Sequence, residues 1–178
     1  MRLCGVDPGL NNTGYGVIRV DPTGRSALLV EAGVVRTTAD APLPERLAEL
    51  ADGIDEVIAE HRPDLVAVEQ LYSHYRHPRT AILMGHARGV LLLSAARAGI
   101  EVVSLPATRV KRTLTGNGQA SKAQIQRAVM TTLGLARPPE PSDVADALAI
   151  AVCAASRMAP RLRSARSSAA STRSVSGK

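Results

Sequence analysis

The chain has 178 residues and a formal charge of +6 at neutral pH, enough for one domain with a substantial core and too little for two ordinary ones. It contains no Phe or Trp and only three Tyr, so the core must be aliphatic, which suits buried strands covered by helices. No window holds an uninterrupted membrane-length apolar run, and the N-terminus lacks the charged and long apolar regions of a signal peptide; together these predict a soluble cytoplasmic protein without membrane contacts.

Leu3 to Val6 is an apolar run that ends in Asp7, followed at once by Pro8 and Gly9. The strand signal thus delivers a carboxylate where the chain leaves the interior. Such a group either starts the turn, as Asp-Pro commonly does, or binds a cation that offsets its desolvation. Tyr15 to Val20 resumes an extended pattern, Asp21-Pro22-Thr23-Gly24 is a turn, and Ala27 to Thr37 reads as a third strand with Gly33 as its bulge. These three predict an antiparallel meander.

Pro44 opens a helix in which Leu47, Leu50, Ile54, Val57 and Ile58 recur at helical spacing, and Arg62-Pro63 stops it. Leu65 to Val68 then repeats the first pattern, an apolar run ending in Glu69. A helical crossover between two such strands predicts parallel pairing in one sheet. The polar stretch from Gln70 to Thr80 carries Tyr72, His74, Tyr75 and Arg76. Ala81 to Arg97 is helical, and Gly85 and Gly89 within it predict close approach of another backbone, from the sheet or from a second subunit. Glu101 to Ser104 reads as a short strand and Pro106 to Leu114 as a helix. After a glycine loop at 115–118, Ser121 and Gln124 form a capping box for a helix ending near Gly134. Ser142 then caps a last helix, Asp143 to about Arg157. We expect residues 1–157 to form the folded domain and the Ser-, Arg- and Ala-rich tail 158–178 to be disordered. Cys4 and Cys153 show neither framework nor zinc spacing, as fits two buried free thiols in a reducing compartment.

Charge is unevenly placed. Residues 1–71 hold 6 basic and 12 acidic side chains, whereas 72–137 hold 10 basic ones and Glu101 alone as an acid. A basic face beside a small acidic site suits a polyanion processed with metal ions. Arg109, Lys111, Arg112, Lys122 and Arg127 cluster about the glycine loop, where cations and main-chain NH groups suit phosphates. Asp143 and Asp146, three apart, share a helix face with Ala147 and Ile150, so the helix aims both acids at the protein. With Asp7 and Glu69 they make four carboxylates at the edges of buried elements with no basic neighbour in sequence. Hard oxygen donors select Mg²⁺ or Mn²⁺, and two such ions are the usual machinery for attack of water on a phosphodiester, with Lys111 or Lys122 placed to stabilise transition-state charge.

The segments DPGLNNTGYGVI, VAVEQLY, GHARGV, TRVKRTLTGNG with SKAQIQ, and SDVADALAIA resemble, in the same order, the motifs of the RuvC family of Holliday junction resolvases. The resemblance implies an α/β, RNase H-like fold with a five-stranded mixed sheet flanked by helices on both sides. It implies a homodimer that nicks two strands of like polarity symmetrically across four-way junction DNA, leaving 5′-phosphate and 3′-hydroxyl ends, in recombination and repair with the RuvA and RuvB branch-migration proteins. Asp7, Glu69, Asp143 and Asp146 match the family's catalytic, Mg²⁺-binding carboxylates. Tyr72 matches its base-stacking aromatic, and Arg109, Lys111 and Lys122 match DNA-contacting positions, with Arg76 and Arg112 grouped beside them. Two other readings compete. An actin-like ATPase shares a DxG turn but needs a duplicated domain, and a junction-binding protein without catalysis would not need four converging acids.

Overall fold

The computed structural model describes residues 1–24, 26–71 and 78–175, of which 78 and 161–175 are described as backbone. Strands β1 (Arg2–Asp7), β2 (Asn12–Val20) and β3 (Ala27–Arg36) form the predicted meander, antiparallel throughout. Helix α1 (Leu43–His61) leads to β4 (Leu65–Glu69), which pairs parallel with β1, and α2 (Pro78–Arg97) leads to β5 (Glu101–Leu105), parallel to β4. The sheet order is β3-β2-β1-β4-β5. Helices α3 (Ala107–Thr115), α4 (Lys122–Leu133) and α5 (Ser142–Val175) complete an RNase H-like, five-stranded mixed sheet.

Strand side chains alternate between faces, and the core divides accordingly. Cys4, Val6, Val66 and Val68 pack with Leu50, Ile54, Ala87 and Leu91 of α1 and α2. Leu3, Leu65 and Ala67 pack on the other face with Leu148 and Ile150 of α5 and with Val110 and Val129 of α3 and α4. Continuing that alternation by two residues puts Asp7 and Glu69 on the α5 face. Their register agrees, because Val6 is paired with Val68 immediately before them.

Helix α5 lies directly on the backbone of β1 and β2. A Cβ built on Gly5 would stand 2.2 Å from the carbonyl oxygen of Ala147 and 2.5 Å from the amide nitrogen of Ala151. At Gly14, which pairs with Asp7, it would stand 2.1 Å from the carbonyl oxygen of Asp143. Residues without side chains at these points are what let the helix approach.

Several local expectations are corrected. The β2–β3 irregularity falls between Val17 and Ile18, opposite Glu31 and Leu29 and thus at Val30 rather than Gly33. Gly33 instead makes room for the Tyr15 ring across the pair, whose hydroxyl oxygen lies 2.7 Å from where a Cβ would be. Gly85 and Gly89 are exposed with nothing within 4 Å of their Cβ positions, so the sheet is not what approaches them. Ser142 is the first residue of α5 rather than its cap, and the helix continues through Pro160 to Val175 where the composition predicted disorder. Once a helix is nucleated on the sheet, its Ala and Arg residues favour extension without a periodic apolar stripe, against the opposing preferences of Pro160 and the serines. The other boundaries hold to within a few residues. The capping box of Ser121 and Gln124 is formed, with both of its bonds present. Both cysteines are buried and free. Among the described residues no helix is long and apolar enough to cross a membrane.

Gly5→Ala forces a methyl group into the α5 backbone. We expect it to lower unfolding free energy in urea by more than about 3 kcal/mol, beyond the usual cost of overpacking, because main chain rather than a flexible side chain must move.

Candidate active site

The turn after β1 is held from several directions. The Gly9 amide donates to Thr13 Oγ1 at 3.4 Å, and the fully buried Thr13 hydroxyl returns a bond to the Gly9 carbonyl at 2.5 Å. Thr37 Oγ1 donates to the Leu10 carbonyl at 2.6 Å, and Arg46 donates to the Asn11 side chain. Asp7 therefore projects from a strand end that cannot shift freely.

Three elements bring the four carboxylates together: β1 supplies Asp7, β4 supplies Glu69, and the first turns of α5 supply Asp143 and Asp146. Their proximity is visible in their electrostatics. Burial pushes the Asp7 carboxyl up to about 7, and the charges of Glu69, Asp146 and Asp143 push in the same direction while Lys122 opposes them. Glu69 is also raised, by burial first and Asp146 next, against the offsetting ammonium groups of Lys111 and Lys122. Lys122 Nζ sits 3.4 Å from Asp146 Oδ2. This is a site where negative charge is crowded and positive charge is favoured.

Among the described residues, no three Asp, Glu, His or Cys side chains are gathered tightly enough to encage an ion as they stand. The donor chemistry nevertheless fits a hard divalent cation: the set is all carboxylate, and the charges of acidic neighbours add to burial in raising Asp7 and Glu69. Two openings reach it. One, lined by Asp7, Pro8, Asn12, Thr80, Met84 and Asp143, has a volume of about 470 Å³, and a smaller one is lined by Glu69, Lys111, Ile125 and Asp146.

The predicted basic set divides. Lys111 and Lys122 stand beside the carboxylates, whereas Arg109 and Arg112 line a second groove with Thr108 and Thr113. The intervening loop is ordered by its own side chains, Thr115 Oγ1 donating to the Lys111 carbonyl at 2.8 Å and Asn117 Oδ1 accepting from the Gln119 amide at 2.9 Å. Tyr72 and Arg76 lie outside the described residues. Arg88, part of the GHARGV segment but given no role by sequence reasoning, bonds the main-chain carbonyl of Glu69 through its guanidinium.

Comparison with known proteins decides the family. The model of the family described as "Crossover junction endodeoxyribonuclease RuvC" matches residues 3–154. The chain belongs to that family. The protein of that name from Rhodopirellula baltica is 56% identical over 151 residues, spanning 85% of this chain and 84% of the relative. The structure of Thermus thermophilus RuvC in complex with Holliday junction substrate superposes with a TM-score of 0.84 at 36% identity, covering 91% of this chain and 97% of that one. The yeast mitochondrial Holliday junction resolvase Ydc2, at 14% identity and a TM-score of 0.65 over 93% of this chain and 81% of that one, shares the fold. The chain is accordingly a crossover junction endodeoxyribonuclease of recombination and repair, a nuclease class that depends on divalent metal.

The raised Asp7 fixes a pH dependence. A carboxyl whose folded pKa lies near 7 rather than the usual 4 binds its proton more tightly when folded, so stability is greatest below pH 4 with respect to this group and declines as pH rises towards 7. Asp7→Asn should therefore stabilise the metal-free protein at pH 8 by about 1–3 kcal/mol and flatten the decline, as measured by thermal unfolding between pH 5 and 8.

Proposed function

We propose that the chain resolves four-way junction DNA as a homodimer, each protomer hydrolysing one phosphodiester so that two strands of like polarity are nicked symmetrically. Asp7, Glu69, Asp143 and Asp146 are the metal-binding catalytic carboxylates, and the ions they hold are two Mg²⁺, with Mn²⁺ able to substitute. The observation that carries this reading is the crowding of four acids from β1, β4 and α5 at one half-buried point, with Asp7 pushed up to about 7. No packing purpose is served by gathering like charges there.

When bound, the ions supply charge neutralisation and a site for the attacking water and the departing oxygen. The residues do the rest. Asp7 and Glu69, fixed at adjacent strand ends, give the site its rigid half, and α5 brings Asp143 and Asp146 against it. Lys122 and Lys111 border the carboxylates, where an ammonium group stabilises the extra negative charge of a five-coordinate phosphorus. Arg109 and Arg112 form a second anionic contact for the DNA backbone on α3. Tyr72 stacks on an unpaired junction base and Arg76 contacts phosphate. Hydrolysis leaves 5′-phosphate and 3′-hydroxyl ends that a ligase can seal. The catalytic unit is residues 1–157, with 158–178 a basic appendage, and the enzyme works in the cytoplasm with RuvA and RuvB.

The dimer surface we assign is the outer face of α2. Ile82 and Leu93 are 61% and 50% exposed there, and Gly85 and Gly89 lie between them on the same face. Small residues between two exposed apolar ones admit a second helix at close range.

Two experiments test this. In Mg²⁺ with a synthetic four-way junction, Asp7→Asn, Glu69→Gln and Asp146→Asn should each lower cleavage at least about a thousandfold, in keeping with loss of a group acting in the transition state, while still binding the junction; cleavage that survives them sinks the assignment. Leu93→Asp should sediment as a monomer and convert paired nicks to single ones, and a variant that remains dimeric would place the interface elsewhere.

A further inference from the structure

Arg88 stands on α2, on the face of the sheet opposite the carboxylates, and no step of the proposed chemistry uses it. Its Nε donates to the main-chain carbonyl of Glu69 at 3.2 Å and its Nη2 to Ser104 Oγ at 2.6 Å. One guanidinium thereby ties together α2, the last residue of β4 and the neighbouring strand β5. Strand alternation explains the reach: Val102 packs on the α1/α2 side while Val103 and Leu105 pack on the α5 side, so Ser104 faces α2.

The place is sensitive. The Gln70 amide bonds the Leu105 carbonyl at 2.9 Å, and beyond it the chain leaves the sheet. A residue at a strand end has less ladder support than one inside it, and any rotation of its peptide unit swings the side chain. We infer that Arg88 is a positioning residue that clasps the Glu69 backbone from behind and so fixes where its carboxylate points. An Arg suits this better than a Lys, because its planar fork presents donors in fixed directions to two acceptors at once. Neighbouring Ala87 and Leu91 are buried, which anchors the helix that carries the fork.

This inference rests on reading Glu69 as a metal-binding carboxylate, and the test separates the two. Wild type, Glu69→Gln, Arg88→Met, Arg88→Lys and Ser104→Ala are compared in three measurements: the Mg²⁺ dependence of junction cleavage, the Mg²⁺-induced rise in Tm of the DNA-free protein, and junction binding without divalent metal. Arg88→Met should need about tenfold more Mg²⁺ for half-maximal effect in the first two, the size typical of groups that support a metal ligand, and should regain rate at high Mg²⁺. Its junction affinity should stay within about twofold of wild type, as expected of a group that meets no phosphate. Ser104→Ala and Arg88→Lys should shift in the same direction by less. Unchanged Mg²⁺ dependence in Arg88→Met, or a defect confined to junction binding, overturns the positioning role. If Arg88→Met fails to fold, unchanged Mg²⁺ dependence in both of the milder variants overturns it instead. Wild-type cleavage by Glu69→Gln would overturn the underlying assignment of Glu69 and leave the Arg88 clasp without a catalytic object.

Discussion

Everything at the carboxylate cluster depends on α5 lying against bare backbone. The Gly5 and Gly14 positions have main-chain atoms of the helix closer than any Cβ allows, so the helix is seated nearer to the sheet than side chains at these two positions would permit. That proximity lets short aspartates on α5 reach the ends of β1 and β4. The helix is otherwise almost continuously buried from Val144 to Ala155, and its apolar burial supplies the free energy that holds two of the acids against two others. At roughly 25 cal/mol per Å² of apolar surface, a helix so enclosed outweighs the repulsion of a few partly solvated charges.

The site is therefore held under electrostatic strain by packing that lies outside it. Asp7 reaches about 7 through burial first and its acidic neighbours second, which means that rigidity and crowding are the same design. The bonds around Thr13, Thr37 and Arg46 keep the Asp7 turn from relaxing away. Lys122 relieves Asp146 only partly, since its own side chain is 72% exposed and its charge is screened by water. Net attraction for a divalent cation follows from what the fold refuses to let go.

Much of this was legible in the chain itself because it depends on local periodicity. Continuous apolar runs ending in Asp7 and Glu69 mark buried strands that deliver a carboxylate at their ends, and Asp143 with Asp146 carries the helical period, so the placing of the first pair and the facing of the second are readable before any tertiary contact. The glycines were harder. Gly33 looks like a bulge from sequence, yet its role is to accommodate Tyr15 from the adjoining strand, a requirement set by a partner 18 residues away in the chain. Gly85 and Gly89 suggest a close backbone in the sequence, yet among the described residues nothing lies within 4 Å of their Cβ positions. The helical continuation of α5 carries no apolar periodicity, because beyond the sheet the helix has no face to bury. Arg88 lies within the GHARGV segment, yet its role is not readable there, since its acceptors are a main-chain carbonyl and a serine that become neighbours only once β4 and β5 pair.

The sheet emerges as a partition with a different task on each side. Its α5 face carries the acids and the two lysines beside them, and its α2 face carries the exposed apolar stripe and the Arg88 fork. Within the sheet, communication between the faces passes through strand backbone, because the alternating side chains of β4 contact one layer or the other but not both. The main-chain carbonyl of Glu69 is such a crossing point: it belongs to the residue whose side chain serves the acidic face and it is bonded from the opposite one. Helix α2 thus meets the acidic site at two places, through the Arg88 fork on the Glu69 carbonyl and through Thr80 and Met84 at the opening beside Asp7 and Asp143.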